Sequence, residues 1–183
     1  MSPYDNNPDN TNTVVLAQSF LQPYLGYSFG LWRCPSDLST AREGQTILPR
    51  VRSYAMNSML NCAFDPGQYL MQPFKVIRST YDMMNPAPCD TFVIVEERED
   101  SIDDGSFGVD MWNEPAGLVE LPAARHKGCA NLVFADNHVE PHGWLDPRTQ
   151  PPMAAYGFID IPWVPGPPNP DVLWLRAHCT GLR

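Results

Sequence analysis

Arg125-His126-Lys127-Gly128-Cys129-Ala130-Asn131-Leu132-Val133-Phe134-Ala135-Asp136-Asn137-His138-Val139-Glu140 decides the fold of this 183-residue chain. Apolar residues alternate in two short runs, Leu132 and Phe134 before and Val139 after, and the pair Asp136-Asn137 stands between them. Alternation with period two marks half-buried strands, and the central pair suits a two-residue type I′ turn. Such a turn needs positive φ at both central residues, which Asp and Asn tolerate best after glycine. The stretch therefore reads as a β-hairpin.

Working outward, residues 13–25 carry Val14, Val15, Ala17, Phe20, Leu21 and Leu25 at helical spacing behind Thr13, a residue type suited to capping. The pattern predicts a short helix ending before Pro23 or Gly26. Residues 48–57 read as extended, and residues 74–77 and 91–95 as strands rich in β-branched and aromatic side chains, bounded by Pro73 and by Asn85-Pro86-Ala87-Pro88. After Leu145 eight prolines, from Pro147 to Pro170, argue against regular structure, because each removes a backbone donor and fixes φ. Phe158, Ile159, Trp163, Leu173, Trp174 and Leu175 are interleaved with them, which suggests an extended tail strapped across the domain. The expected architecture is α+β: an N-terminal helix packed on a small antiparallel sheet, with many loops. The division that follows is a disordered segment over 1–12, a globular domain over 13–146 and a Pro-rich tail over 147–183.

A chain of this length buries enough surface for one domain without metals or disulfides. Twelve Lys and Arg against 21 Asp and Glu, a net charge of −9, argue against nucleic acid and favour cations. Twenty Pro, twelve Gly and 18% charged residues fit a loop-rich fold rather than a helical bundle. Met1 to Asn12 is polar, and no apolar run there approaches the ~20 residues of a membrane span. Cys34, Cys62, Cys89, Cys129 and Cys179 form no CxxC pair and have no His at zinc-finger spacing, which argues against a structural zinc site and leaves them as small buried hydrophobes or as members of one or two disulfides.

Three groups of residues suggest chemistry. The acid-rich run from Glu96 to Ser106 offers oxygen ligands around Gly105, a composition suited to Ca²⁺ without the spacing of an EF-hand; Asp100, Asp103, Asp104 and Asp110 are the candidate ligands. His126, Asp136, His138 and His142 lie close in sequence, and imidazole with carboxylate can bind a metal, form an acid/base pair or simply pin the hairpin register. Gly26-Tyr27-Ser28-Phe29-Gly30 matches the GxSxG nucleophile elbow, which makes Ser28 a further catalytic candidate beside His126, Asp136 and His138. The context disagrees, since a helical pattern precedes Ser28 where the elbow needs a strand. Of five tryptophans, Trp144 reads as core because it follows the hairpin directly, and Trp112, beside the acidic run, as the better candidate for exposure.

The hairpin also carries a resemblance. His126 and Asp136 fall on the His and Asp of the His, nine residues, Asp-Gly signature of the prepilin-type processing-associated proteins, with Asn137 in place of the Gly. Tyr24-Leu25, Trp32-Arg33-Cys34-Pro35-Ser36-Asp37, Arg52-Ser53-Tyr54-Ala55-Met56-Asn57 and Trp144-Leu145-Asp146-Pro147 follow in the same order, so that the resemblance covers roughly residues 13–149. It implies a pseudopilin-like head in an extracytoplasmic setting, with other pilin-like subunits or secretion machinery as partners, disulfides among the cysteines, and a structural calcium ion such as related major pseudopilins hold beside their C-terminal strands. Members of that family begin with a basic leader and a long apolar helix, which residues 1–12 do not contain. A helix removed, a truncated gene and a free-standing soluble relative remain open. A different class of protein also stays open, a small calcium- or metal-dependent hydrolase of an ester, lactone or glycan on the same scaffold.

Overall fold

The computed structural model describes residues 8–61, 74–111, 113, 117–154, 161 and 166–182. The fold is α+β. A five-stranded sheet in the order β5-β3-β4-β6-β7 is built from β3 (Tyr54–Asn57), β4 (Phe92–Glu96), β5 (Ser106–Phe107), β6 (Cys129–Phe134) and β7 (Val139–Gly143). All its pairings are antiparallel except β3 with β5, which is parallel. A separate hairpin joins β1 (Thr40–Glu43) to β2 (Thr46–Pro49).

The hairpin of β6 and β7 is present, with a different turn. Phe134 N donates to His138 O at 2.9 Å and Asn137 N to Phe134 O at 3.0 Å, and of the turn residues only Asn137 has positive φ, at 76°. This is a three-residue loop, Ala135-Asp136-Asn137, whose last residue takes the left-handed position after a type I turn, rather than the two-residue type I′ turn expected. One left-handed residue suffices, and asparagine fills it. The alternation that revealed β6 is real: Ala130, Leu132 and Phe134 are buried while Cys129, Asn131 and Val133 are half-buried. A register shift between Phe92 and Ile94 in β4 brings Phe92 and Val95, three residues apart, into the same core as Ala55, Phe107, Leu132 and Phe134. Each of the larger side chains, Phe92, Val95, Phe107, Leu132 and Phe134, contributes about 1.5–3 kcal/mol by leaving water.

The helix against this sheet is not the N-terminal one. Residues 13–25 form only a four-residue helix, α1 (Val14–Ala17), and a 3-10 turn at Gln22–Leu25 that stops at left-handed Gly26, with Leu16 and Gln22 buried. Ser19 interrupts the helical pattern, since its Oγ accepts from Leu21 N at 3.2 Å, and Pro23 brings no donor. The packed helix is α2 (Pro170–Cys179), inside the segment read as an irregular tail. Pro170 starts it, at a position where no intrahelical donor is needed, and the Asn169 side chain accepts from Asp171 N at 2.9 Å and Val172 N at 3.3 Å. Val172, Leu175 and Cys179 form a buried stripe, and Leu175 and Cys179 join the sheet's core. Residues 170–179 therefore belong to the domain. Phe158, Ile159 and Trp163 lie outside the described residues.

Other expectations shift similarly. Residues 48–57 split into the end of β2 and β3, and residues 74–77 make only isolated bridges, Phe74 with Leu182 and Ile77 with Leu60. Residues 8–12, expected to be disordered, are tied down: Val51 N donates to Asn10 O at 3.0 Å and Arg50 Nη1 to Asn10 Oδ1 at 3.1 Å. Cys34, Cys89, Cys129 and Cys179 are free thiols, and Cys62 lies outside the described residues. Trp144 packs against the core as expected, donating Nε1 to Ala123 O at 2.8 Å, while Trp112 lies outside the described residues. No helix among the described residues is long and apolar enough to cross a membrane.

Candidate functional site

Neighbours in a strand point to opposite faces, so with Val95 in the core Glu96 projects from the other side of β4. Its cross-strand partner is Tyr54, which shares that face. Glu96 is fully buried, and Asn131 N, on β6, donates to its Oε2 at 2.9 Å, leaving Oε1 directed elsewhere. His126 meets it. A tight turn before β6 holds Lys127 and Gly128 at positive φ, 58° and 86°, and Gly128 N donates to Ala124 O at 3.2 Å. Glycine suits the second of these positions because it carries no Cβ. The turn presents His126 Nε2 3.0 Å from Glu96 Oε1.

Cys34 completes the group. It follows the 3-10 turn Phe29–Trp32, and its Sγ lies 3.5 Å from His126 Nε2. Its amide donates to Ser53 Oγ at 3.2 Å, and Ser53 Oγ donates in turn to Asp37. Asp37 is 3.6 Å from the Arg125 guanidinium, which also pairs with Glu99 at 2.6 Å. Burial pulls the Asp37 carboxyl up, but hydrogen bonds from Ser53 and Ser39 and the charge of Arg125 outweigh it and hold the group below the usual carboxylate range. The Cys34 thiol is raised, first by burial and then by Glu96. The Tyr54 phenol beside it is pushed up to about 12, by burial and then by Glu96 and Cys34. Cys34 and Glu96 are buried while the His126 side chain remains 31% exposed, so the imidazole forms the open side of the group.

The thiol, carboxylate and imidazole donor atoms lie within 4.8 Å of one another, and among the described residues this is the one group of its kind. In a Cys-His-acid relay one ring nitrogen faces the thiol and the other faces the acid. Here the same nitrogen, Nε2, faces both. The arrangement therefore converges on a point instead of passing a proton along a line.

The residues singled out in the sequence fare differently. His126 belongs to this site, but its carboxylate partner is Glu96 rather than Asp136, because the six-residue β6 separates His126 from the turn. Asp136 pairs with the neighbouring His138, Oδ1 to Nδ1 at 2.6 Å, at the hairpin tip, and the His138 ring stacks on Phe134 with centroids 4.4 Å apart. That pair fixes the turn. His142 stacks instead on Trp174 of α2, at 3.7 Å. Ser28 is exposed between two 3-10 turns, with no strand before it among the described residues, so the nucleophile elbow is not formed.

The calcium candidates do not converge either. Asp100 is engaged by Arg98 through both oxygens, at 2.7 and 2.6 Å, and by Ala154 N at 2.9 Å. Asp110 accepts from Asn113 N and Nδ2 and from Gly117 N. Asp103 and Asp104 are exposed and accept from Asp104 N and Ser106 N in their own bend. Arg98 and amides already engage Asp100 and Asp110, and Asp103 and Asp104 lie exposed in their own bend, so the four described carboxylates form no converged cage.

Cys34, Glu96 and Tyr54 were not legible as a site. Cys34 and Tyr54 stand in two of the ordered motifs, Trp32-Arg33-Cys34-Pro35-Ser36-Asp37 and Arg52-Ser53-Tyr54-Ala55-Met56-Asn57, and joining these motifs to His126 is the signal that could have found them. No protein-family model, no curated protein and no solved structure matches the chain.

Proposed function

We propose that this chain is the extracytoplasmic head of a pseudopilin-like subunit and acts through contacts with other pilin-like subunits or with secretion machinery. The ordered motifs around His126 and Asp136 motivate the reading. The observation that carries it is the apolar surface of the N-terminal segment, where Val14, Val15, Phe20, Tyr24, Tyr27 and Leu31 are exposed, Phe20 at 94% and Tyr24 at 87%. Large apolar side chains left in water over one short segment mark a surface that works by contact. A structural calcium ion rests in this reading on the resemblance alone, because Asp100 and Asp110 are already engaged and Asp103 and Asp104 are exposed. A calorimetric calcium titration with no heat above dilution removes it.

The test is expression of the complete gene with and without a prepilin peptidase. A product shortened only when the peptidase is present, found in the extracytoplasmic fraction, supports the reading. An uncut product in the cytosol overturns it. Phe20→Ser with Tyr24→Ser changes stability by less than about 0.5 kcal/mol each, as exposed positions do, and lowers co-purification with partner subunits.

A second reading, a metal-dependent hydrolase of an ester, lactone or glycan, rests on the convergence of Cys34, Glu96 and His126 beside solvent. Hydrolysis abolished by chelator and by His126→Gln is its test, and equal turnover in the variant rejects it.

A further inference from the structure

We propose that Cys34 Sγ, Glu96 Oε1 and His126 Nε2 form a mononuclear site for a divalent transition metal of the zinc class, with its fourth position on the open side of His126. The inference does not depend on the assembly role.

Three ligands come from three separate stretches of chain, the turn after a 3-10 helix, the end of β4 and the turn before β6, and all three donor atoms lie within 4.8 Å of one another. Zinc bonds of about 2.0–2.3 Å in a tetrahedron place ligand atoms roughly 3.3–3.8 Å apart. The 3.5 Å between Cys34 and His126 already fits, and the 3.0 Å between His126 and Glu96 needs to widen by a few tenths of an ångström. Supporting contacts orient two ligands: Asn131 N fixes the other oxygen of Glu96, and Ser36 N donates to Cys34 Sγ at 3.4 Å.

Charge points the same way. A thiolate and a carboxylate buried side by side repel, and a divalent cation neutralises both while the imidazole stays uncharged. On binding, the Cys34 S–H bond breaks, sulfur keeps the electron pair as the new ligand bond, and the proton leaves to solvent. No electron is transferred. A set with sulfur and nitrogen excludes Ca²⁺ and Mg²⁺, which take oxygen, and favours zinc among the common ions. Three protein ligands with one position open is the pattern of an exchangeable rather than a closed zinc site.

The experiment is a zinc titration of the chelator-stripped full chain against a chromophoric competitor, repeated with Co²⁺ and read by absorption. The expected result is one equivalent of zinc, a thiolate-to-cobalt charge-transfer band, and a loss of affinity of at least about 100-fold in Cys34→Ser and in His126→Gln, more than the removal of a merely supporting partner costs. Zinc binding unchanged in both variants overturns the site and places the ion elsewhere, for instance on the exposed Asp136–His138 pair. Should a variant fail to fold, the wild-type cobalt spectrum decides, because a bound cobalt ion without the thiolate band, or no binding at all, overturns the assignment.

Discussion

Asn57 and Cys179 hold each other at the centre of the molecule: Asn57 Nδ2 donates to the Cys179 carbonyl at 2.8 Å, and Cys179 Sγ donates to Asn57 Oδ1 at 3.1 Å. The same amide nitrogen donates to Phe92 O at 2.9 Å, and the same oxygen accepts from Met59 N at 2.9 Å. One buried side chain thus joins β3, β4 and the last turn of α2. Asn57→Ala removes every one of these bonds and leaves buried carbonyls unsatisfied, at a cost of about 1–3 kcal/mol for each uncompensated group. The expected loss is on the order of 2–4 kcal/mol by urea unfolding, against less than about 0.5 kcal/mol for a control at exposed Tyr81.

Where periodicity alone settles an element, the sequence was legible. Leu132, Phe134 and Val139 announced the β6–β7 hairpin, and the β-branched run at 91–95 announced β4. Where one residue type has two structural uses, it was not. Pro170 argued against a helix by the general rule that proline breaks helices, yet at the first helical position that rule does not apply. Pro141 sits inside β7, which is possible because β7 is an edge strand whose donors are not all needed. The site was half legible for a further reason. His126 was visible, but its partners arrive from residues 34 and 96, and the pairing depends on strand register, which a single sequence does not display.

The start of α2 rests on Asp171, whose carboxylate accepts from Leu145 N at 3.0 Å, Asp146 N at 2.9 Å and Thr149 Oγ1 at 2.7 Å. It is buried, and it ties the helix to the stretch that follows β7. Asp171→Ala leaves two amides and a hydroxyl without their partner and is expected to cost on the order of 3 kcal/mol. Hydrogen exchange gives the localised check: protection falls first in residues 145–149 and 170–179. A uniform loss across the sheet speaks against this role.

His142 predicts a pH dependence of one sign. Its ring lies between Trp174 and Trp144, with centroids 3.7 and 4.8 Å away, and burial holds its pKa below the usual 6.5 despite Asp171 and Glu140 nearby. Below pH 6.5 the unfolded chain takes up a proton that the folded ring resists. The stabilisation is present above 6.5 and is lost as pH falls from there toward the folded value, with a slope of at most about 1.4 kcal/mol per pH unit. His142→Phe keeps the stack and removes the proton. Its stability relative to the wild type rises as pH is lowered from 7 to 5, measured by urea unfolding at each pH.

Glu120 predicts the opposite sign. Burial, then the carboxylates of Asp103 and Asp104, push it up to about 7, although Gly108 N donates to it and Arg52 lies near. A raised carboxyl pKa means that the folded state holds its proton where the unfolded state has released it. The contribution is full below the ordinary value of 4.5 and is lost as pH rises toward about 7. Glu120→Gln keeps the acceptor for Gly108 and removes the charge, so the variant is expected to match the wild type at pH 4.5 and to exceed it at pH 8 by on the order of 2–3 kcal/mol. An equal difference at both pH values indicates that the carboxyl does not titrate in this window. Because His142 acts in an overlapping range with the reverse slope, each variant is compared with the wild type at the same pH, and the double variant, with the two sites independent, shows the sum of the two differences.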